Sequence, residues 1–207
     1  MNQCVIIGGA DIGDYAAAAS FIRPLDYIIC CDCGLRHRAP LGVEADLIIG
    51  DFDSHENPMA AIETIVLPHR KDDTDTMYAI KEALRRGFRE FLLLGVCGNR
   101  MDHTLGNLYA LLYLYHRGAH GVIVDDYSEM ELVDSTPVSI SDRYPYFSLL
   151  NITGTASGIS IENAIFPLSD GSIEPEYQYG VSNEVIPGKT AVVSVSEGLL
   201  LLIKDRI

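Results

Sequence analysis

Two aspartates one residue apart, Asp51 and Asp53 in "DLIIGDFDS" (46–54), are the feature of this sequence that most needs a chemical reason. They follow Leu47-Ile48-Ile49, an apolar run that reads as a buried strand. Like charges at that spacing repel and raise each other's pKa unless a cation lies between them. More carboxylates gather nearby: Asp32 after "YIICC" (27–31), the run "HRKDDTD" (69–75), and Asp102 within "GVCGNRMDH" (95–103). Each of these stretches follows a run that reads as a strand. A lone aspartate in such a place more often caps a helix or lines a loop. Asp32, Asp51, Asp53, Asp72, Asp73, Asp75 and Asp102 together, delivered to one sheet edge, predict a cation site. Hard oxygen ligands on a rigid scaffold suit Mg²⁺, which keeps other positions for water and substrate phosphates.

Basic residues are scarce, 15 against 29 acidic ones for a net charge of -14, so those beside the acidic turns stand out. Lys71 and Arg100 sit within aspartate-rich turns, where a phosphate ligand would gain from both. Arg70 reads equally well as a solvated loop charge. Gly95 and Gly98 let backbone approach a ligand closely. The combination predicts a Mg²⁺-bound polyphosphate gripped by one lysine and one arginine. The acidic balance argues against DNA or RNA, whose phosphates need Lys and Arg, but not against a small phosphate that arrives with its own metal. No stretch approaches the roughly 18 to 20 apolar residues of a membrane span, and "MNQCVIIGG" has no basic segment before its apolar run. Five cysteines, three of them in "CCDC" (30–33), do not resemble a disulfide scaffold. The expectation is a reduced, cytoplasmic protein. Zinc lacks a second Cys/His pair at ligand spacing, and Cys30 and Cys31 read as buried strand thiols.

The elements that must position these groups follow from the hydrophobic pattern. Strands are predicted at "CVIIGG" (4–9), "YIICCD" (27–32), "DLIIGD" (46–51), "TIVLP" (64–68), "FLLLGV" (91–96) and "GVIVDD" (121–126). Between them lie the helical patterns 15–22, 74–87 and 102–118. Wholly apolar strands separated by helices predict an α/β domain over residues 1–130, with a mainly parallel, Rossmann-like sheet covered on both faces. Ligands of such sheets bind beyond the carboxyl ends of the strands. From about residue 130 the chain changes to short strand-like runs broken by Gly, Pro, Ser and Asn: "EMELVDS", "FSLLNIT", "SGISIENA", "TAVVSVSE" and "GLLLLIKD". Residues 131–207 are therefore predicted to form an all-β sandwich.

Two other motifs compete. "GKT" (188–190) has Asn183 where a P-loop needs Gly, and it opens no helix. "GGADIG" (8–13), with Asp32 roughly twenty residues on, fits a loose dinucleotide fingerprint and supports a second reading, a dinucleotide-binding oxidoreductase. That reading has no use for the paired aspartates or for "KDDTD".

"GDFDS" (50–54), "KDDTD" (71–75) and "GNRMDHTLGN" (98–107), in this order, resemble thiamine pyrophosphokinase, as do "DCG" (32–34), "VSN" (181–183) and the β-rich C-terminal half. The resemblance covers nearly the whole chain. It implies an α/β domain that binds ATP and Mg²⁺, a β-sandwich that binds thiamine, and a homodimer with thiamine between the domain of one subunit and the sandwich of the other. The implied reaction moves a diphosphoryl group from ATP to the thiamine hydroxyl, giving thiamine diphosphate and AMP. Residue by residue, it implies that Asp51, Asp53 and Asp75 hold Mg²⁺ with Asp32 nearby. Lys71, Thr74 and Arg100 would face the ATP phosphates, with Asp72, Gly95 and Gly98 in the same turns. Asp102 and His103 would organise the phosphate or the attacking hydroxyl, His103 reading equally as a base or as a helix-capping residue. Ser182 and Asn183 match the pair expected at the thiamine pocket. Phe166 stands where the family shows Tyr or Trp and could stack on the substrate ring, or be a core residue. Cys33 replaces a common glycine, and "TMYAI" (76–80) lacks that helix's usual acidic and Lys residues. The rival on the same scaffold is a Mg²⁺-dependent phosphotransferase or phosphohydrolase for another small substrate, which would release ADP or phosphate instead of AMP.

Overall fold

Runs of Ile, Leu, Val and Cys without polar alternation are stable as strands only when both faces are covered, and the first half of the chain meets that condition. The computed structural model describes residues 3–52 and 62–206, and the chain divides into two units, Met1–Asp126 and Tyr127–Ile207. The first unit runs β1 (Cys4–Ile7), α1 (Tyr15–Ala19), β2 (Tyr27–Cys31), a 3₁₀ turn (Asp32–His37), α2 (Arg38–Leu41), β3 (Leu47–Gly50) and β4 (Glu63–Val66). It continues with α3 (Asp75–Arg85), β5 (Glu90–Leu94), α4 (Met101–Tyr115) and β6 (His120–Val124). The strands lie in the order β4-β3-β2-β1-β5-β6, and every neighbouring pair is parallel. Val5, Ile7, Cys30 and Ile48 face the side that also buries Ala18 of α1 and Leu41 of α2. Their alternates Cys4, Ile6, Ile29 and Ile49 are equally buried, and Ala79, Ile80, Ala110 and Leu111 supply the buried faces of α3 and α4.

Strand order reverses beside β1. The chain steps outward from β1 through β2 and β3 to β4, then returns to β1's other side with β5. A crevice at the carboxyl ends of the strands opens at such a switch point.

Local chemistry sets the helix ends. The helix expected over 15–22 stops at Ala19, because the Ser20 hydroxyl folds back onto the Ala17 carbonyl at 2.6 Å and Pro24 bars continuation. α3 starts where Thr74 accepts a bond from the Met77 N–H at 3.2 Å. Its last turn is tied down by Glu82, which accepts from Arg85 and Arg86. Arg86 reaches on to the Tyr27 hydroxyl at 2.7 Å and to Glu63 on edge strand β4.

The second unit is antiparallel: β7 (Ser128–Val133), β8 (Val138–Ser141), β9 (Phe147–Leu150), β10 (Ala156–Glu162), β11 (Leu168–Ile173), β12 (Thr190–Ser194) and β13 (Leu200–Asp205). β13 pairs with β7 and β9; a second sheet runs β11-β10-β12-β8. Val133, Phe147, Leu149, Leu200 and Leu202 share one buried core with Ile140, Ile159, Ile173, Ala191 and Val193 of the other sheet. β8 and β11 were absent from the sequence expectation. Both are edge strands; "LSDGSI" buries only Ile173 along its length, and "VSIS", which does alternate, is only four residues long. Among the described residues, no helix is long and apolar enough to cross a membrane.

Two glycines test the packing. A Cβ on Gly34 would lie 2.1 Å from the Ile7 carbonyl oxygen, whereas one on Gly106 of α4 would meet nothing within 4 Å. Gly34→Ala is expected to cost at least about 1–3 kcal/mol as an overpacked site. Gly106→Ala is expected to stabilise by roughly 0.5–1 kcal/mol through helix propensity. Urea unfolding of the two variants checks both signs.

Candidate active site

Five chain segments meet at the carboxyl edge of the parallel sheet: the turn after β1, the 3₁₀ turn after β2, Gly50–Asp51 after β3, Lys71–Asp75 leading into α3, and Gly95–Arg100 leading into α4. All of them but Gly50–Asp51 line a cavity of about 490 Å³, with Gly8, Gly9, Asp32, Asp75, Gly95 and Arg100 among its walls. That volume suits a nucleotide-sized ligand. The floor depends on glycine. A Cβ on Gly8 would lie 2.6 Å from the Gly95 carbonyl, and one on Gly95, whose φ is +61°, would lie 2.7 Å from the Gly8 carbonyl.

Among the described residues, Asp32, Asp51 and Asp75 each aim one carboxylate oxygen into a group whose members lie within 4.8 Å of one another. Carboxylates that close repel by roughly 3 kcal/mol per pair at an effective dielectric of about 20. Lys71 relieves part of this, its Nζ lying 2.6 Å from Asp51 Oδ2 and 2.9 Å from Asp75 Oδ1. His69 Nδ1 lies 3.7 Å from the same Asp51 oxygen. Burial pulls the Lys71 ammonium pKa down, but the hydrogen bonds to Asp51 and Asp75 outweigh it and the pKa is raised. An all-oxygen donor set without nitrogen or sulfur suits Mg²⁺ or a similar hard cation, so these residues fit the expected metal. Asp53 lies outside the described residues.

The edge expected to carry seven carboxylates resolves into this trio and several satellites. Asp73 is paired with Lys81 on α3 at 2.7 and 2.8 Å, and Asp72 is exposed and does not line the cavity. Asp102 is held in a fork by Arg100 at 3.1 and 2.6 Å, and that guanidinium brings its carboxyl down to about 2. Arg100 and His103 are exposed at the cavity. Thr74 borders the cavity while capping α3. Gly98 also lines it, and its N–H donates to Thr104 Oγ1 at 3.1 Å.

Two cavity residues, Arg36 and Asn107, and one beneath the cavity, His37, escaped the sequence reading. Arg36 Nη2 donates to the Gly9 carbonyl at 2.7 Å and to Asp11 at 2.6 Å, bracketing the first loop. Nothing in its exposed, locally aperiodic position marks it. Buried Asn107 donates to the Val96 carbonyl at 2.8 Å and ties α4 to the loop after β5. It shares a helix face with Ala110, Leu111 and Leu114, so a polar residue on an apolar stripe was the available signal. His37, below the same loop, has Nδ1 2.8 Å from the Tyr15 hydroxyl and Nε2 2.9 Å from the Ala10 carbonyl.

The dinucleotide reading of "GGADIG" fails on hydrogen bonds. The N–H groups of Gly13 and Asp14, which should cradle a pyrophosphate, both donate to the Asp126 carboxylate at 2.8 to 2.9 Å. The helix behind them is five residues long.

In the β-rich unit Phe166 is 62% exposed and does not belong to the core, which removes its packing alternative. Ser182 is exposed with φ +59°. Asn183, expected at a substrate pocket, is 5% exposed, and its amide is turned onto the chain. Its Oδ1 accepts from the Phe166 N–H at 3.1 Å and its Nδ2 donates to the Phe166 carbonyl at 2.7 Å. It positions Phe166.

The family model of the thiamin pyrophosphokinase catalytic domain matches residues 18–123, and that of the vitamin B1 binding domain matches residues 135–200. The chain belongs to the thiamin pyrophosphokinase family. It is 24% identical over 164 residues to the thiamine pyrophosphokinase of Bacillus subtilis (strain 168), covering 75% of this chain and 76% of that protein. Among solved structures it resembles thiamine pyrophosphokinase from Bacillus subtilis, with a TM-score of 0.88 at 20% identity over all of both chains. Thiamin pyrophosphokinase from Geobacillus thermodenitrificans is similar at a TM-score of 0.84 and 24% identity, over 98% of this chain and 97% of that one. These structures share its architecture, an α/β sheet unit with a separate β-rich unit. As a thiamin pyrophosphokinase, the chain is an enzyme that makes thiamine diphosphate.

His37 supplies a pH test of the loop beneath the cavity. Burial lowers its pKa from 6.5, so the folded protein keeps it neutral while the unfolded chain takes up a proton on acidification. Its contribution to stability is therefore present at neutral pH and is lost as pH falls below 6.5. The stability gap between wild type and His37→Gln should narrow between about pH 7 and 5. Parallel unfolding free energies across that range would remove the assignment.

Proposed function

We propose that the α/β unit is a Rossmann-like site for ATP and Mg²⁺, from which a diphosphoryl group passes to the hydroxyl of thiamine with release of AMP. The observation that carries this reading is the convergence of Asp32, Asp51 and Asp75 around Lys71, with Asp32 and Asp75 lining the cavity that Arg100 also borders. Asp51 and Asp75, with Asp53, would hold the metal, and Asp32 would complete the oxygen set. Mg²⁺, when bound there, neutralises phosphate charge and orients the triphosphate.

The chain's own groups do the remainder. The glycine floor lets the phosphates lie against main chain, and Arg100, Lys71 and Thr74 supply donors to them. Arg100 offers a guanidinium to the charge that develops during transfer. His103, exposed on the first turn of α4 beside Arg100, would take the hydroxyl proton. In the β-rich unit the ring of Phe166 gives thiamine an aromatic face, Ser182 a hydroxyl, and Asn183 holds Phe166 in place. Fixing two reactants in one geometry supplies a large part of the acceleration. The net charge of -14 suits a cationic substrate and a nucleotide that comes as a magnesium complex. A cytoplasmic homodimer is part of the same proposal.

Purified protein with ATP, Mg²⁺ and thiamine should yield AMP and thiamine diphosphate in equal amounts, and neither product without metal. ADP or free phosphate in their place would move the chain to another phosphotransferase or to a hydrolase. Asp51→Asn should lower turnover by a hundredfold or more, since the charge stabilisation lost is several kcal/mol at about 1.4 kcal/mol per tenfold. Phe166→Ala should raise KM for thiamine by roughly five- to tenfold with little change in kcat, matching the loss of one aromatic contact.

A further inference from the structure

Lys71 belongs by sequence to the phosphate grip, yet its ammonium lies between two of the carboxylates. Its Nζ is 2.6 Å from Asp51 and 2.9 Å from Asp75, and its side chain is 17% exposed. Two nearby cations among the described residues have counter-charges of their own, Lys81 held by Asp73 and Arg100 by Asp102. Lys71 therefore brings one positive charge to a group of three carboxylates, with His69 Nδ1 also 3.7 Å from Asp51, and a single ammonium offsets only part of their repulsion. A divalent ion offsets more. Two cations drawn to the same oxygens repel each other, so a metal and this ammonium oppose each other at Asp51 and Asp75. Lysine suits a group that must leave, being a compact charge on a flexible four-carbon stem, without the fixed fork of arginine. Lys71 also sits outside regular secondary structure, four residues before Asp75.

We infer that Lys71 is a built-in counter-cation, which holds Asp51 and Asp75 together until a divalent ion takes their oxygens and then turns to the phosphates. This rests on the metal-binding reading above and adds an order to it. The lysine is released to the nucleotide only where metal is present, so the site discriminates for a metal-bound polyphosphate over a metal-free one.

The test is Mn²⁺ binding to the nucleotide-free protein, read from the electron paramagnetic resonance of free Mn²⁺, for wild type, Lys71→Met and Asp51→Asn. Lys71→Met should bind Mn²⁺ about tenfold more tightly than wild type, the factor matching one charge-assisted hydrogen bond that no longer competes. The same variant should bind the Mg²⁺ complex of a non-hydrolysable ATP analogue more weakly than wild type. Equal or weaker Mn²⁺ binding by Lys71→Met would show a fixed structural ion pair and overturn the inference. If neither protein binds Mn²⁺ in a way that Asp51→Asn abolishes, the metal reading itself fails and the inference falls with it. A measurement on the unmutated protein guards against a misfolded variant. Acetylation of Lys71 by a water-soluble acyl ester, mapped by mass spectrometry, should rise several-fold relative to Lys81 when Mn²⁺ is added. An unchanged ratio would overturn the inference independently.

Discussion

The mutual repulsion of Asp32, Asp51 and Asp75 is the constraint around which the α/β unit is arranged, since three carboxylates within 4.8 Å of one another are stable only if something holds them there. What holds them is backbone. Asp32 and Asp51 follow adjacent parallel strands, β2 and β3, whose register pairs Cys31 with Ile49. Asp75 opens α3, which packs against the same strands. A single loop carrying three aspartates would splay to separate the charges. Rigid elements buried on both sides cannot, and the strain is relieved by Lys71 and, in the proposed working state, by a metal.

The same rigidity explains the glycines and the polar clamps around the cavity. Where β1 and β5 end side by side, Gly8 and Gly95 cross in contact closer than any side chain would permit. The two turns are then held from outside. Asp126 accepts from Gly13 and Asp14, Arg36 donates to Gly9 and Asp11, and Asn107 donates to the Val96 carbonyl. All of these bonds but the one from Arg36 to the Asp11 carboxylate engage main chain, so the cavity wall is preorganised before any ligand arrives.

The β-rich unit uses burial for a comparable purpose. Its two sheets share one apolar core, and at the sheet end Lys204 meets Glu131 at 2.7 Å while Tyr144 donates to Glu129 at 2.6 Å. Exposed Phe166 sits above this core with its backbone clipped at both N–H and carbonyl by one buried asparagine. Loops bearing an exposed aromatic ring are ordinarily mobile. Asn183 gives this one a fixed attachment.

The sequence by itself determined the α/β-then-β order, the parallel character of the first sheet and the edge at which its polar residues gather. All three follow from local patterns: unbroken apolar runs need two covered faces, and strand ends in parallel sheets share one direction. The motifs around Asp51, Lys71 and Arg100 pointed to the family for a related reason, since their spacing is set by turns of a few residues. Tertiary structure decided which of the aspartates meet. Asp73 and Asp75 are two residues apart, yet one faces Lys81 along α3 and the other faces Asp51. That choice depends on which way a helix start is turned against the sheet, a direction no sequence spacing contains. Asn183 and Arg36 gained their roles in the same way, through hydrogen bonds to residues 17 and 27 positions away. Edge strands β8 and β11 escaped notice because the first is only four residues long and the second buries only Ile173. Short-range patterns carry the architecture, and long-range contacts choose the partners.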